Sequence, residues 1–193
     1  LLRLMAIARF DDVAVEAEMG TAGVVLTYVL EPTHPIRVIR FRGDLGLPEK
    51  QLRSAVTERF SASPPLSRLR EIADLLEAIQ RDHGFRKATV RPVTEVSHNP
   101  DQTTLTFEVA AGPQTRVLSA EISGAPDGNA ELVRSKLRLQ PGAPFDRLAI
   151  DAAVARYLAE LRAASFLEAR VEIDPKYSES QEQVDVTVRV TRG

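Results

Sequence analysis

The sequence contains no cysteine and no tryptophan. Without a thiol there is no disulfide framework, no thiolate nucleophile and no cysteine-built zinc site. That absence does not choose a compartment, because a cysteine-free chain tolerates either redox environment. Aromatic residues make up 5% of the 193 positions, which leaves few platforms for stacking bases. No apolar run reaches the roughly eighteen residues of a membrane-spanning helix. A barrel of alternating strands would need many more strands than this chain can supply. Charge of one sign is also missing: 25 basic and 27 acidic residues leave a net charge of −2, so no bulk basic field recruits nucleic acid or anionic lipid.

Chemistry-bearing constellations are equally scarce. His34, His83 and His98 have no partners at ligand spacing, so they read as solvated surface residues and not as metal or acid–base groups. Asp11-Asp12 and Glu16/Glu18 are paired carboxylates, but strand alternation puts the last two on one solvated face. Ser178 and Ser180 lack a nearby histidine. No glycine-rich phosphate loop is present. The chain therefore reads as a non-enzyme with no catalytic, metal or cofactor site. Hydrophobic residues at 44% and charged ones at 27% have the balance of an ordinary globular protein.

What the sequence does contain is a repeat. Phe166-Leu-Glu-Ala-Arg-Val leads through a polar turn at Tyr177 to Gln183 into the alternating run Val184, Val186, Val188, Val190 and a closing Thr-Arg-Gly. Phe85-Arg-Lys-Ala-Thr-Val leads through Ser97 to Gln102 into Leu105, Phe107, Val109 and Ala-Ala-Gly. Phe10-Asp-Asp-Val-Ala-Val leads through Gly20 to Gly23 into Leu26, Tyr28, Leu30. The phenylalanines recur at near-equal intervals, and units of that length bury only a modest core each.

Taken in order, Leu1, Leu4, Met5 and Ala8 have helical spacing and read as a helix end. Val13, Val15 and Ala17 alternate with polar or small residues and pair with the Leu26 to Leu30 run as a hairpin. Glu31-Pro-Thr-His-Pro is a stiff connector. Residues 36 to 42 form a strand with Ile39 and Phe41 inward, closed by Gly43. A helix begins near Pro48, a good first helical residue, and buries Leu52, Val56 and Phe60. Ser61-Ala-Ser-Pro-Pro breaks it, and Ser67 caps a second helix whose face is Leu69, Ile72, Ala73, Leu76 and Ile79. Gly84 terminates that helix.

The order then repeats. Val117 to Ser123 is a strand closed by Gly124. Ala130 to Leu139 is a helix with Leu132, Val133 and Leu137 inside. Gln140-Pro-Gly-Ala-Pro breaks the chain, and Asp146 caps a helix carrying Ile150, Ala153, Val154, Tyr157, Leu158 and Leu161. Each full unit is therefore β-α-α-β-β, an α+β fold whose three-stranded mixed sheet is covered on one face by two helices. Proline is tolerated on a sheet edge and disfavoured in the centre. Pro92 and Pro175 accordingly place the middle strand of each unit at an edge.

This order resembles the POTRA (polypeptide-transport-associated) domain in tandem array. The resemblance is carried by Leu137-Arg-Leu-Gln-Pro-Gly-Ala-Pro-Phe-Asp146, similar to that family's joint between helices. It is also carried by Arg116-Val-Leu-Ser-Ala-Glu-Ile-Ser-Gly124 and Ile36-Arg-Val-Ile-Arg-Phe-Arg-Gly43, similar to its first strand. Gly84-Phe85-Arg-Lys-Ala88 is similar to its Gly-aromatic junction, and Phe107-Glu-Val-Ala-Ala-Gly-Pro113 to its exit. The junction glycine is Arg9 in the first copy and Ser165 in the third, and the middle unit has Ala62-Ser-Pro-Pro for Pro-Gly-x-Pro. The domains expected are 1–33, the C-terminal part of a unit, then 34–112 and 113–193. The chain starts in mid-pattern, and Gly193 reads as a module boundary, so sequence on both sides is expected.

The resemblance implies a periplasmic region, attached to the bacterial outer membrane through a barrel in the same protein. It implies receipt of unfolded outer-membrane proteins by β-augmentation, with assembly lipoproteins as further partners and no nucleic acid. The alternative is the POTRA scaffold of another system, a two-partner secretion transporter or a cell-division module. A KH-type RNA fold would need Gly-x-x-Gly between its helices, which neither loop has. An exposed edge offers unpaired N–H and C=O groups to an extended segment of another chain. The candidate edges are Val13 to Glu18 (with Val13, Ala14, Val15 and Glu16), Ala88 to Val96 (with Ala88, Thr89, Val90 and Arg91) and Ala169 to Asp174 (with Ala169, Arg170, Val171, Glu172 and Ile173). On the middle edge the half before Pro92 is the expected pairing half. Arg37, Arg40, Arg42 and Arg53 form a local basic cluster that reads as a solvated face or, more sharply, as a contact for an acidic partner.

Overall fold

The computed structural model describes residues 10–20, 23–32, 36–98, 101–125 and 128–191. Among these residues, alternation of apolar and polar side chains produces eight strands: β1 (Phe10–Gly20), β2 (Gly23–Pro32), β3 (Ile36–Asp44), β4 (Thr89–His98), β5 (Asp101–Ala110), β6 (Arg116–Ser123), β7 (Arg170–Tyr177) and β8 (Gln183–Thr191). Helical periodicity gives α1 (Glu49–Phe60), α2 (Leu69–Asp82), α3 (Ala130–Lys136) and α4 (Arg147–Ala163).

β1 and β2 form a two-stranded antiparallel sheet. The other strands form two three-stranded sheets of the same topology, ordered β3-β5-β4 and β6-β8-β7. In each the last strand is central, parallel to the first and antiparallel to the middle one. The mixed sheet is the one the order of elements leads one to expect, and β4 and β7 lie at edges as the prolines imply, since a residue without an N–H fits where no ladder partner follows.

Each sheet turns one face to its two helices. In the middle unit Leu105, Phe107 and Val109 of β5 meet Leu52, Val56 and Phe60 of α1 and Ile72, Ala73 and Leu76 of α2. Phe107 stacks on Phe41 with ring centroids 5.5 Å apart. In the C-terminal unit Val184, Val186, Val188 and Val190 pack beneath Ile150, Tyr157 and Leu161. Gly43 and Gly124 close β3 and β6 with positive φ, and a Cβ on either would collide with the carbonyl oxygen of Val109 or Val190 on the central strand.

Several local expectations change. The irregular phase of β3 is a register shift between Ile36 and Val38, which lets Ile36, Ile39 and Phe41 all be buried. Ser67 does not cap α2; it lies in a 3-10 turn, Leu66–Arg68, that runs directly into the helix. Gln80, a polar position on the inner face of α2, is fully buried and donates to Leu45 O at 2.6 Å. α3 ends at Lys136 because Arg138 takes a φ of 60°. Leu132 is half exposed, and Leu137 and Leu139 supply the burial instead. Asp146 does cap α4, its Oδ1 accepting from Ala149 N. The readings at Leu1, Leu4, Met5, Ala8 and His34 lie outside the described residues.

Candidate functional site

Each three-stranded sheet has two outer edges, and the chain treats them differently. The β6 edge is closed by the segment after α3. Val117 N donates to Ala143 O at 2.9 Å, Gly142 N to Val117 O at 2.8 Å and Phe145 N to Thr115 O at 2.8 Å. Arg134 adds two bonds, from Nε and Nη2, to Ala120 O. In the middle unit the corresponding Ser61 to Pro65 loop makes no hydrogen bond to β3 among the described residues. Pro64 and Pro65 have no N–H to give. The β3 edge is therefore open, a feature that the Pro-Pro replacement signalled but sequence reasoning did not use.

β4 and β7 are the edges on which the candidate residues fall. Thr89, Val90 and Arg91 lie on β4, and Arg170, Val171, Glu172 and Ile173 lie on β7. Ala88 and Ala169 precede those strands and are buried, so neither offers an edge group. Val13, Ala14, Val15 and Glu16 lie on β1, opposite Leu30, Val29, Tyr28 and Thr27. Of that hairpin Val15, Val24, Leu26 and Tyr28 are exposed.

The two outer strands are not equivalent. The N–H of Val90 leaves the sheet and donates to Glu77 Oε1 on α2 at 2.9 Å. In an antiparallel pair outward- and inward-bonding residues alternate, so Val90, Pro92 and Thr94 face the free side. The first of these donors is taken and the second does not exist, so the half before Pro92 is the guarded half, contrary to the sequence expectation. Val171 pairs with Val190 as Val90 pairs with Val109, which puts Val171, Ile173 and Pro175 on the free side of β7. Leu158 stands where α2 has Glu77, and a leucine accepts nothing. Pro175 removes the third donor, and the first two remain.

The basic cluster is divided. Arg53 turns to the helical side, bonding Glu49 Oε1 at 2.5 Å and lying over the Phe41 ring. Arg40 and Arg42 lie on the open sheet face, where Arg42 and Arg91 flank Glu108 on either side of β5. Glu71 has its pKa lowered by the hydrogen bond from Arg68, 2.6 Å away at the exposed start of α2 and remote from any edge. Among the described residues no cluster could hold a metal ion and no helix is long and apolar enough to cross a membrane.

A second constellation, missed in the sequence, joins the two units. His83 is not a solvated surface residue. Its Nδ1 lies 2.7 Å from Asp146 Oδ2, the capping carboxylate of α4, and its Nε2 lies 2.8 Å from Gln51 Nε2. Thr115 N donates to Gly84 O at 2.9 Å, and Gln114 Nε2 to His83 O at 2.9 Å. The Arg86 guanidinium lies 3.8 Å from the centroid of Tyr177, which meets Phe145 edge-on. A Cβ on Gly84 would sit 2.6 Å from Phe145 O. This close approach explains why glycine occupies that junction while Ser165 holds the corresponding place after α4.

Residues 115–193 match the family model for POTRA, described as a surface antigen variable number repeat. The C-terminal unit is a POTRA domain. No curated protein matches the chain. Solved structures similar to it include the N-terminal domain of Omp85 from Thermosynechococcus elongatus, at 17% identity and a TM-score of 0.43, covering 97% of this chain and 78% of that one. POTRA3-5 of Haemophilus influenzae BamA is 20% identical with a TM-score of 0.43, covering 94% and 71%. CdiB from Escherichia coli is 16% identical with a TM-score of 0.41, covering 97% and 32%. The middle unit shares the strand order, helix pair and strand-closing glycine of the C-terminal POTRA domain.

Proposed function

We propose that this chain is part of the periplasmic region of an outer-membrane protein assembly or translocation protein. It comprises POTRA units at 34–112 and 113–193, with 1–33 the tail of another. It receives unfolded outer-membrane proteins by adding their extended segments to its free sheet edges, hands them towards a membrane barrel of the same protein, and docks assembly lipoproteins. The observation that carries this reading is the outward-facing main chain of β3 and β7, which takes no hydrogen bond among the described residues, in sheets with one face covered by helices. Main-chain pairing is nearly indifferent to side-chain identity, which suits a receptor for many different strands. Titration of the isotope-labelled chain with barrel-strand peptides tests it. Amide shift changes along an outer strand, β3, β4 or β7, are expected; changes confined to the helices would overturn the edge mechanism.

A further inference from the structure

We infer that β7 is the receiving edge of the C-terminal unit and that Arg170 and Asp174 fix the direction and register of the strand it takes. This rests on the edge-pairing reading above. β4 has lost its first two outward donors, Val90 to Glu77 and Pro92 to its own ring, whereas Val171 and Ile173 keep theirs. β6 is covered along its edge by the Gly142 to Phe145 segment and by Arg134. In the C-terminal unit the strand that enters therefore has one free side to meet.

The charges on the open face of β7 give the rest. Arg170, Glu172, Asp174 and Lys176 alternate outward and are all exposed. Glu172 is satisfied by Arg189, 3.6 Å away on β8. Lys176 stands across from Asp185. Arg170 and Asp174 stand across from Thr191 and Thr187, and neither has an ion-pair partner among the described residues. They are thus a free cation and a free anion on one face, four residues or about 13 Å apart. Between them Val171 and Ile173 point to the half-buried helical side.

An antiparallel strand laid beside β7 meets these in a set order: a base opposite Asp174, an apolar residue opposite Ile173, a small polar one opposite Glu172, an apolar one opposite Val171 and an acid opposite Arg170. The ligand is therefore an alternating segment reading base, apolar, polar, apolar, acid. The acid-first order fits only if the strand runs parallel. A one-residue slip would bring the charges to the apolar face, so the two ends specify register as well as direction. β1 serves as an internal contrast, since Glu16 and Glu18 share a face with no arginine on that strand.

The experiment uses the full chain and three short synthetic peptides centred on Lys-Val-Thr-Val-Asp, on Asp-Val-Thr-Val-Lys and on Ser-Val-Thr-Val-Ser. Each carries a spin label at its N-terminus. The first is expected to shift the Val171 and Ile173 amides and to broaden the Tyr177 end of β7, where an antiparallel strand starts. It should bind about three- to tenfold more tightly than the uncharged peptide, with the difference lost in about 0.5 M salt, where the screening length falls to about 4 Å. The acid-first peptide should broaden the Arg170 end. Ile173→Pro, which puts into β7 the residue β4 carries at the same register position, should abolish binding. The doubly reversed Arg170→Asp, Asp174→Arg chain should exchange the two orders even if the proline variant does not fold. Binding at β3 or β4 with β7 silent overturns this inference and leaves edge pairing standing. Binding at β7 with one affinity and one direction for all three peptides overturns the charge assignment. No binding by any peptide removes edge pairing itself, and this inference with it.

Discussion

Gly43 and Gly124 hold the same place in their sheets, and both are there because the neighbouring carbonyl leaves no room for a side chain. Positive φ adds a second penalty for any other residue. Gly43→Ala and Gly124→Ala are each expected to lower the unfolding free energy by about 2–4 kcal/mol in urea titrations. Gly142→Ala, at a φ of 81° but in open space, should cost only about 1 kcal/mol. Asp146 combines two roles at one side chain, Oδ1 capping α4 and Oδ2 facing His83. Asp146→Ala should cost about 1 kcal/mol for the cap alone. Asp146→Asn should keep most of that and lose the charge. In a double-mutant cycle with His83→Ala the effects should be non-additive, because the two side chains share one contact.

At the scale of elements, helix α2 guards an edge that helix α4 leaves open. Hydrogen exchange reads this without any ligand: the Val90 amide is expected to exchange more slowly than Val171, and Glu77→Ala should bring the two rates together. Equal rates in the native chain would contradict the guarding role. The strands themselves were legible, because alternation in Val184 to Val190 or Leu105 to Val109 is a local signal and Pro92 and Pro175 mark an outer position. The guard was not. Glu77 and Val90 meet only when a helix packs beside a strand, and nothing in either segment's period announces it. Leu132 failed for the opposite reason: it has the spacing of a buried residue, but a helix as short as α3 covers too little sheet to bury it.

At the scale of the whole molecule, the joint is built from residues far apart in sequence, such as His83 with Asp146 and Arg86 with Tyr177, so no pattern of a single unit could disclose it. The one hint was the glycine at 84 where the last unit has Ser165. Relaxation measurements should give residues 36–111 and 116–191 one common tumbling time. Gly84→Ala, which presses on Phe145 O, and Arg86→Ala should separate the two times while leaving each core folded. Independent tumbling of the native units would refute a stiff joint. Thr115 carries a further consequence. It is fully buried, bonded through its N–H to Gly84 and through its carbonyl to Phe145 N, so the link between units is also the first stretch of the second unit's wall. The chain therefore has no neutral place there to be cut: a C-terminal piece beginning at Arg116 would expose the Phe145 amide. One beginning at Pro113 would leave the Thr115 N–H without the Gly84 carbonyl it donates to.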